Sequence, residues 1–283
     1  MLGAIIGDIA GSRFEFQNHR SKDFELFSGD CFVTDDSIMT LAVAKAVMET
    51  EKQFTLSAGS RQSEEYLAVL HHMAVRYMRE IGQKYPGCGY GGRFYHWMFS
   101  DNPQPYDSYG NGAAMRVSPA GFAARSRAEA VSLSRAVTAV THNHKEGIKG
   151  AEAVSVAIFM ARGGNGIREI RDEITHRYYP LDFTADGIRS TYRFNESCQG
   201  TVPQAIVCFL ESVSFEDAIR TAISIGGDSD TLAAITGGIA EAFYGVPGAL
   251  REKALTYLDH ELRAIFDEWE EFAAREGLYS PAN

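Results

Sequence analysis

The feature that most limits how this chain can fold is its near lack of strand-like alternation. Apolar residues instead recur at three- and four-residue steps along most of its length. Across residues 64–81, Tyr66, Leu67, Leu70, Met73, Ala74, Tyr77, Met78 and Ile81 form one stripe, with arginines and glutamates elsewhere, as in an amphipathic surface helix. Residues 37–50 are apolar nearly all round, the pattern of a helix enclosed by others. Further helices are expected over 127–140, 147–162, 201–211, 215–225, 230–244 and 251–275. Two stretches, 82–112 and 163–200, break this rhythm and read as long functional or flexible loops. No fixed-period repeat or linker divides the chain, so the expectation is an all-α, orthogonal multi-helix single domain over 1–283.

Apolar residues make up 45% and charged residues 23%, which argues against extended disorder. The net charge of -10 disfavours stable binding to nucleic-acid phosphates or anionic lipid. The four cysteines lack the close spacing of zinc or redox motifs and read as inert thiols in a reducing compartment. The opening MLGAIIGDIAGSRFEF is interrupted by Asp8 and lacks a basic leader, and no run approaches the roughly 20 apolar residues of a membrane span. A cytoplasmic location is expected.

Two acidic clusters each precede an apolar helix: Thr34-Asp35-Asp36 and Asp228-Ser229-Asp230-Thr231. One aspartate at a helix start is an ordinary N-cap. Neighbouring carboxylates at both sites, carried inward by apolar helices, repel one another and are costly to desolvate without a positive partner. Neither motif contains lysine or arginine, which leaves a metal ion or a distant basic side chain. Carboxylate and threonine oxygens are hard donors and favour Mg²⁺ or Mn²⁺ over zinc, and two clusters could hold two ions. Asp228 and Asp230 converge only if Asp228 lies in the entering loop, which Gly226-Gly227 would permit.

The segments GDIAGSRFEF, TDDSIMTLAVAKA, YGNGAAMRVSPAGF, THNHKEGIKGA and GGDSDTLAAITGGIAEAFYG, in this order, resemble the motif series of the ADP-ribosylglycohydrolase family. The resemblance implies an all-α fold around a binuclear Mg²⁺ or Mn²⁺ centre. It implies hydrolysis of the glycosidic bond between ADP-ribose and an acceptor on a protein or small conjugate, releasing ADP-ribose. Carried over by motif, Thr34, Asp35, Asp36, Asp228, Asp230 and Thr231 are the metal ligands, and Glu15 and Asp35 are the catalytic carboxylates. Gly110, Asn111, Gly112 and His142 are substrate-binding. Asp107 is a candidate for an additional catalytic carboxylate, Asp8 is explained equally well by a helix or turn contact, and His144 is left unassigned. The rival readings are a non-catalytic ADP-ribose-binding protein and a metal-dependent nucleotide phosphohydrolase. The acceptor is not legible in the sequence.

Overall fold

A computed structural model describes residues 1–54 and 60–278. Among the described residues there are no strands, only an isolated bridge between Gly110 and Ser197. The helices are α1 (Leu2–Ser12), α2 (Asp35–Gln53), α3 (Glu64–Gly82), α4 (Gly92–Phe99), α5 (Gly112–Met115), α6 (Ser118–Ala123), α7 (Arg127–Thr138) and α8 (Lys145–Arg162). They continue as α9 (Ile167–Arg177), α10 (Ala185–Arg189), α11 (Cys198–Leu210), α12 (Phe215–Ser224), α13 (Ser229–Tyr244), α14 (Gly248–Leu255) and α15 (His260–Glu276). None is long and apolar enough to cross a membrane.

Helix α13 is the structural axis. Every residue from Ser229 to Glu241 is buried, and the helix packs against α1, α8, α11 and α12. Helix α2 lies beside it, enclosed by α1, α3, α6 and α15 as its all-round apolar sequence requires.

Among the described glycines, the tightest surroundings are where α1 meets α13. Gly3, Gly7 and Gly11 recur every fourth residue, so they share one face of α1. A Cβ on Gly3 would lie 2.1 Å from the Gly237 carbonyl oxygen, and one on Gly7 would lie 2.0 Å from that of Ala233. At Gly11 it would lie 2.5 Å from the Asp230 Cα. The two backbones therefore touch, running antiparallel, with no side chain between them. This contact sets the end of α1 against the first turn of α13, where Asp230 sits.

The structure departs from the sequence reading in several places. Helix α1 was not expected, because it is buried on every side and shows no amphipathic stripe. The helix expected over 251–275 is two: α14 ends at Leu255, and Asp259 restarts the chain by accepting from the Glu261 and Leu262 amides. The stretch 82–112 holds α4, whose Phe94 and Trp97 are buried. The stretch 163–200 holds α9, α10 and the first turn of α11. All four cysteines are free thiols.

The glycine face of α1 makes a direct prediction. Gly7→Ala should destabilise the protein by about 3 kcal/mol, since backbone atoms cannot rotate away as an overpacked side chain can. The change would be read from the urea midpoint, and an unaltered midpoint would show that the helices do not meet through their backbones.

Candidate metal centre

The two acidic clusters meet. Helix α2 is capped by the Thr34 hydroxyl, which accepts from the Asp36 amide, so neither Asp35 nor Asp36 serves as the cap. Asp228 occupies the N-cap position of α13 but makes no capping hydrogen bond. The ordinary structural explanation for acidic residues at helix starts is thus absent at both sites. Across the gap, the Thr231 hydroxyl donates to Asp36 Oδ2 at 3.2 Å, joining residues 195 positions apart. Gly226 and Gly227, with φ of 70° and 76°, turn the chain into α13 through left-handed backbone that residues with a Cβ seldom adopt.

Asp8, on α1, holds the first cluster in shape. Its Oδ1 accepts from the Thr34 hydroxyl at 2.6 Å, and its Oδ2 accepts from the amides of Thr34 and Ser37 at 3.1 Å each and from the Ser37 hydroxyl. With these donors committed, Asp8 acts as a turn contact. Ser229, unassigned from sequence, donates its hydroxyl to the Gly11 carbonyl and ties α13 to α1.

Glu15 follows α1 and belongs to the same cluster. One carboxylate oxygen from each of Glu15, Asp228 and Asp230 lies within 4.8 Å of the others, close enough to share a cation. Asp228 is further steered by Asn111, whose side-chain amide donates to Asp228 Oδ2 at 2.7 Å. All of these groups line one cavity of about 330 Å³, together with Asp35, Asp36, Thr231, Gly110, Gly112 and His142. Thr34 lies just behind, its hydroxyl spent on Asp8 and the Asp36 amide.

The electrostatics are those of carboxylates lacking a counter-charge. Burial, then Asp8, Asp35 and Asp228, push the Asp36 carboxyl well above its usual range. Burial with Asp8 and Asp228 does the same to Asp35, and burial with Asp228 and Asp36 does so to Asp230. Asp228 is raised chiefly by burial. Glu15 is raised to about 7, by burial and then by Asp228 and Asp8. Among the described residues, no basic side chain forms an ion pair with any of these carboxylates. Among the described residues, the buried Oδ1 of Asp36 has no hydrogen-bond partner. An unpaired buried carboxylate oxygen amid mutually repelling carboxylates fits a divalent cation with a preference for hard oxygen donors.

Some expectations need correction. Asp107 is exposed and does not line the cavity; its backbone amide donates to Asn143 Oδ1 at 2.7 Å and its φ is 53°. The Gly110–Gly112 turn is not an open nest of amides. The Gly110 amide donates to the Ser108 hydroxyl and the Asn111 amide to the Glu196 carbonyl, while the Asn111 side chain is turned onto Asp228. His144 caps α8 by accepting from the Glu146 amide. Sequence reasoning missed Arg116, Phe194 and Glu196, all lining the cavity. Arg116 lay in one of the motif segments, and Phe194 and Glu196 in the stretch 163–200 read as a functional or flexible loop.

This all-helical fold, with buried carboxylates converging from its first and last thirds, matches a known class. A family model for ADP-ribosylglycohydrolase covers residues 1–281, and the chain belongs to that family of enzymes, which hydrolyse ADP-ribose conjugates. It is 26% identical to the ADP-ribosyl-[dinitrogen reductase] glycohydrolase of Rhodospirillum rubrum, over 94% of this chain and 92% of that protein. It is 24% identical to ADP-ribosylhydrolase ARH3 of Danio rerio, over 87% of this chain and 82% of that protein. A solved ADP-ribosylglycohydrolase-related protein complex shares the fold, with a TM-score of 0.65 and 22% identity over 95% of both chains.

The raised carboxyls make stability depend on pH and metal in opposite directions. Unfolded carboxylates titrate near ~4, whereas Asp8 is raised to about 6 and Glu15 to about 7 in the fold. The metal-free protein therefore holds protons that the unfolded chain has lost, and that stabilisation disappears as pH climbs from about 4 through 7. Its Tm should fall over this range in chelator. Adding Mg²⁺ or Mn²⁺ at about a hundredfold excess over Kd should raise Tm by about 5 °C at pH 8 and by less at pH 5, where protons compete. Equal metal shifts at both pH values would contradict a carboxylate centre.

Proposed function

We propose that this cavity hydrolyses the glycosidic bond between ADP-ribose and its acceptor, with two Mg²⁺ or Mn²⁺ ions held by Asp35, Asp36, Asp228, Asp230 and Thr231, and with Thr34, expected from sequence as a ligand, bracing the first motif from behind through Asp8. The observation that carries the reading is the cluster itself: buried carboxylates from α2 and α13, with an unpaired Asp36 Oδ1 and, among the described residues, no basic side chain in an ion pair with them. When bound, such ions supply positive charge that orients oxygen ligands and acidifies water.

The protein's own groups divide the remaining work. Glu15 stands beside Asp228 and Asp230, half-buried and lining the cavity, so its carboxylate is within reach of a water held by that cluster. In this reading it takes the proton from the attacking water. Asp35, also facing the cavity and raised by burial, is the second carboxylate within the site. Asn111 and Thr231 hold Asp228 and Asp36 at fixed angles and so limit reorganisation as positive charge develops on the ribose ring. Gly110 and Gly112 form the cavity wall against His142, and in this reading that wall receives the ADP-ribose moiety.

The test is a panel of ADP-ribosylated protein and small-molecule substrates assayed with Mg²⁺, with Mn²⁺ and with chelator. Free ADP-ribose should appear with metal and not with chelator, whereas AMP as product would identify a phosphohydrolase. Asp228→Ala and Asp230→Ala should each lower kcat/KM by about a thousandfold or more, and Glu15→Gln should lower kcat by ~10² to 10⁴ with smaller change in ADP-ribose affinity. Full turnover by the aspartate variants would remove the metal role, and full turnover by Glu15→Gln would remove the proton-transfer role.

A further inference from the structure

In the cavity wall, Arg116 is buried in full, and although it feels the charge of Asp35 it forms no ion pair with a carboxylate among the described residues. Its pKa is lowered to about 10, by burial first, so it stays charged at neutral pH. Its guanidinium lies over the Phe94 ring, 5.3 Å from the centroid. One terminal nitrogen, Nη2, donates to the Thr141 hydroxyl at 2.6 Å and lies 3.4 Å from Nδ1 of His142. The Thr141 hydroxyl is itself 2.7 Å from the same Nδ1.

A buried cation needs a reason to be there, and the imidazole beside it supplies one. Guanidinium nitrogens only donate, so the ring atom facing them must present a lone pair. The Thr141 hydroxyl, which accepts from Arg116, keeps a proton that it can donate to Nδ1. Burial and the positive charge of Arg116 also keep His142 neutral, with its pKa well below the usual value. A neutral imidazole with an unprotonated Nδ1 carries its single proton on Nε2. That atom faces the cavity: a Cβ on Gly110 or on Gly112 would lie 3.4 Å from it, and no protein group among the described residues bonds to it.

We infer that Arg116, with Thr141, is a positioning residue that locks His142 in the Nε2–H tautomer, so that the ring offers a hydrogen-bond donor to an oxygen of the ADP-ribose moiety. The opposite tautomer would aim a lone pair at an oxygen-rich, anionic ligand and repel it. The inference deepens the proposed function, since it takes this cavity to be the ADP-ribose site. The tautomer itself does not depend on that reading.

The test separates the two. Two-bond proton–nitrogen correlation spectra of the ligand-free protein, with the His142 signals assigned by loss in His142→Asn, should show Nε2 protonated and Nδ1 not. Arg116→Met should let Nδ1 take the proton and share it with the Thr141 oxygen, giving a tautomer mixture. ADP-ribose binding should weaken about tenfold, as for loss of one good hydrogen bond, with KM raised in proportion and kcat changed by less than about threefold. Arg116→Lys, which keeps the cation, should recover most of the binding. If Arg116→Met fails to fold, Thr141→Val gives the same readouts and Thr141→Ser the same rescue. A protonated Nδ1 in the unaltered protein, or an unchanged tautomer in both Arg116→Met and Thr141→Val, overturns the inference. Failure of the unaltered protein to bind ADP-ribose, with the tautomer as stated, instead overturns the assignment of the cavity.

Discussion

The fold turns on a contact without side chains. Gly3, Gly7 and Gly11 bring α1 onto α13 backbone to backbone, and two consequences follow from that closeness. Asp8, one residue beyond Gly7, reaches Thr34 and Ser37 and shapes the entrance to α2. Glu15, just past the end of α1, lies beside Asp228 and Asp230. A thicker interface would move both carboxylates relative to α13 by more than a hydrogen bond tolerates, and the cluster would come apart.

That cluster is a source of strain in the metal-free chain. Concentrating Asp35, Asp36, Asp228, Asp230 and Glu15 in one cavity raises every one of their proton affinities, as expected of like charges removed from water. The packing of α1, α2 and α13 supplies the stability that this arrangement opposes. Strain of this kind is characteristic of sites organised around a ligand rather than around the fold's own needs.

Much of this was legible in the chain. The starts of α2 and α13 were placed within two residues, because each long apolar run follows directly on an acidic motif, although the cap of α2 is Thr34 rather than an aspartate. The idea that the two acidic motifs need a positive partner came from carboxylate repulsion alone, and their meeting in space is seen directly in the Thr231–Asp36 bond. Helix α1 escaped notice because periodicity detects a helix with one wet face, and this one has none; its signal was the four-residue glycine spacing. The break between α14 and α15 was hidden because apolar residues continue through Tyr257 and Leu258 while Asp259 quietly starts a new helix. Nothing in a linear pattern marks which polar residue of a motif turns inward, so Arg116 could be found only in three dimensions. Asp107 shows the converse: proximity in sequence to a cavity-lining turn does not bring a side chain into the cavity.

The span between the two halves of the centre also bears on how it is made. Asp36 and Thr231 are 195 residues apart, which a ribosome covers in on the order of 10 to 40 s. During synthesis the first acidic motif must therefore wait, hydrated and open, until α13 has emerged. For the proposed metal centre, cation capture would then be a late event of biogenesis, and a nascent chain halted before that point would hold only half of the acidic cluster.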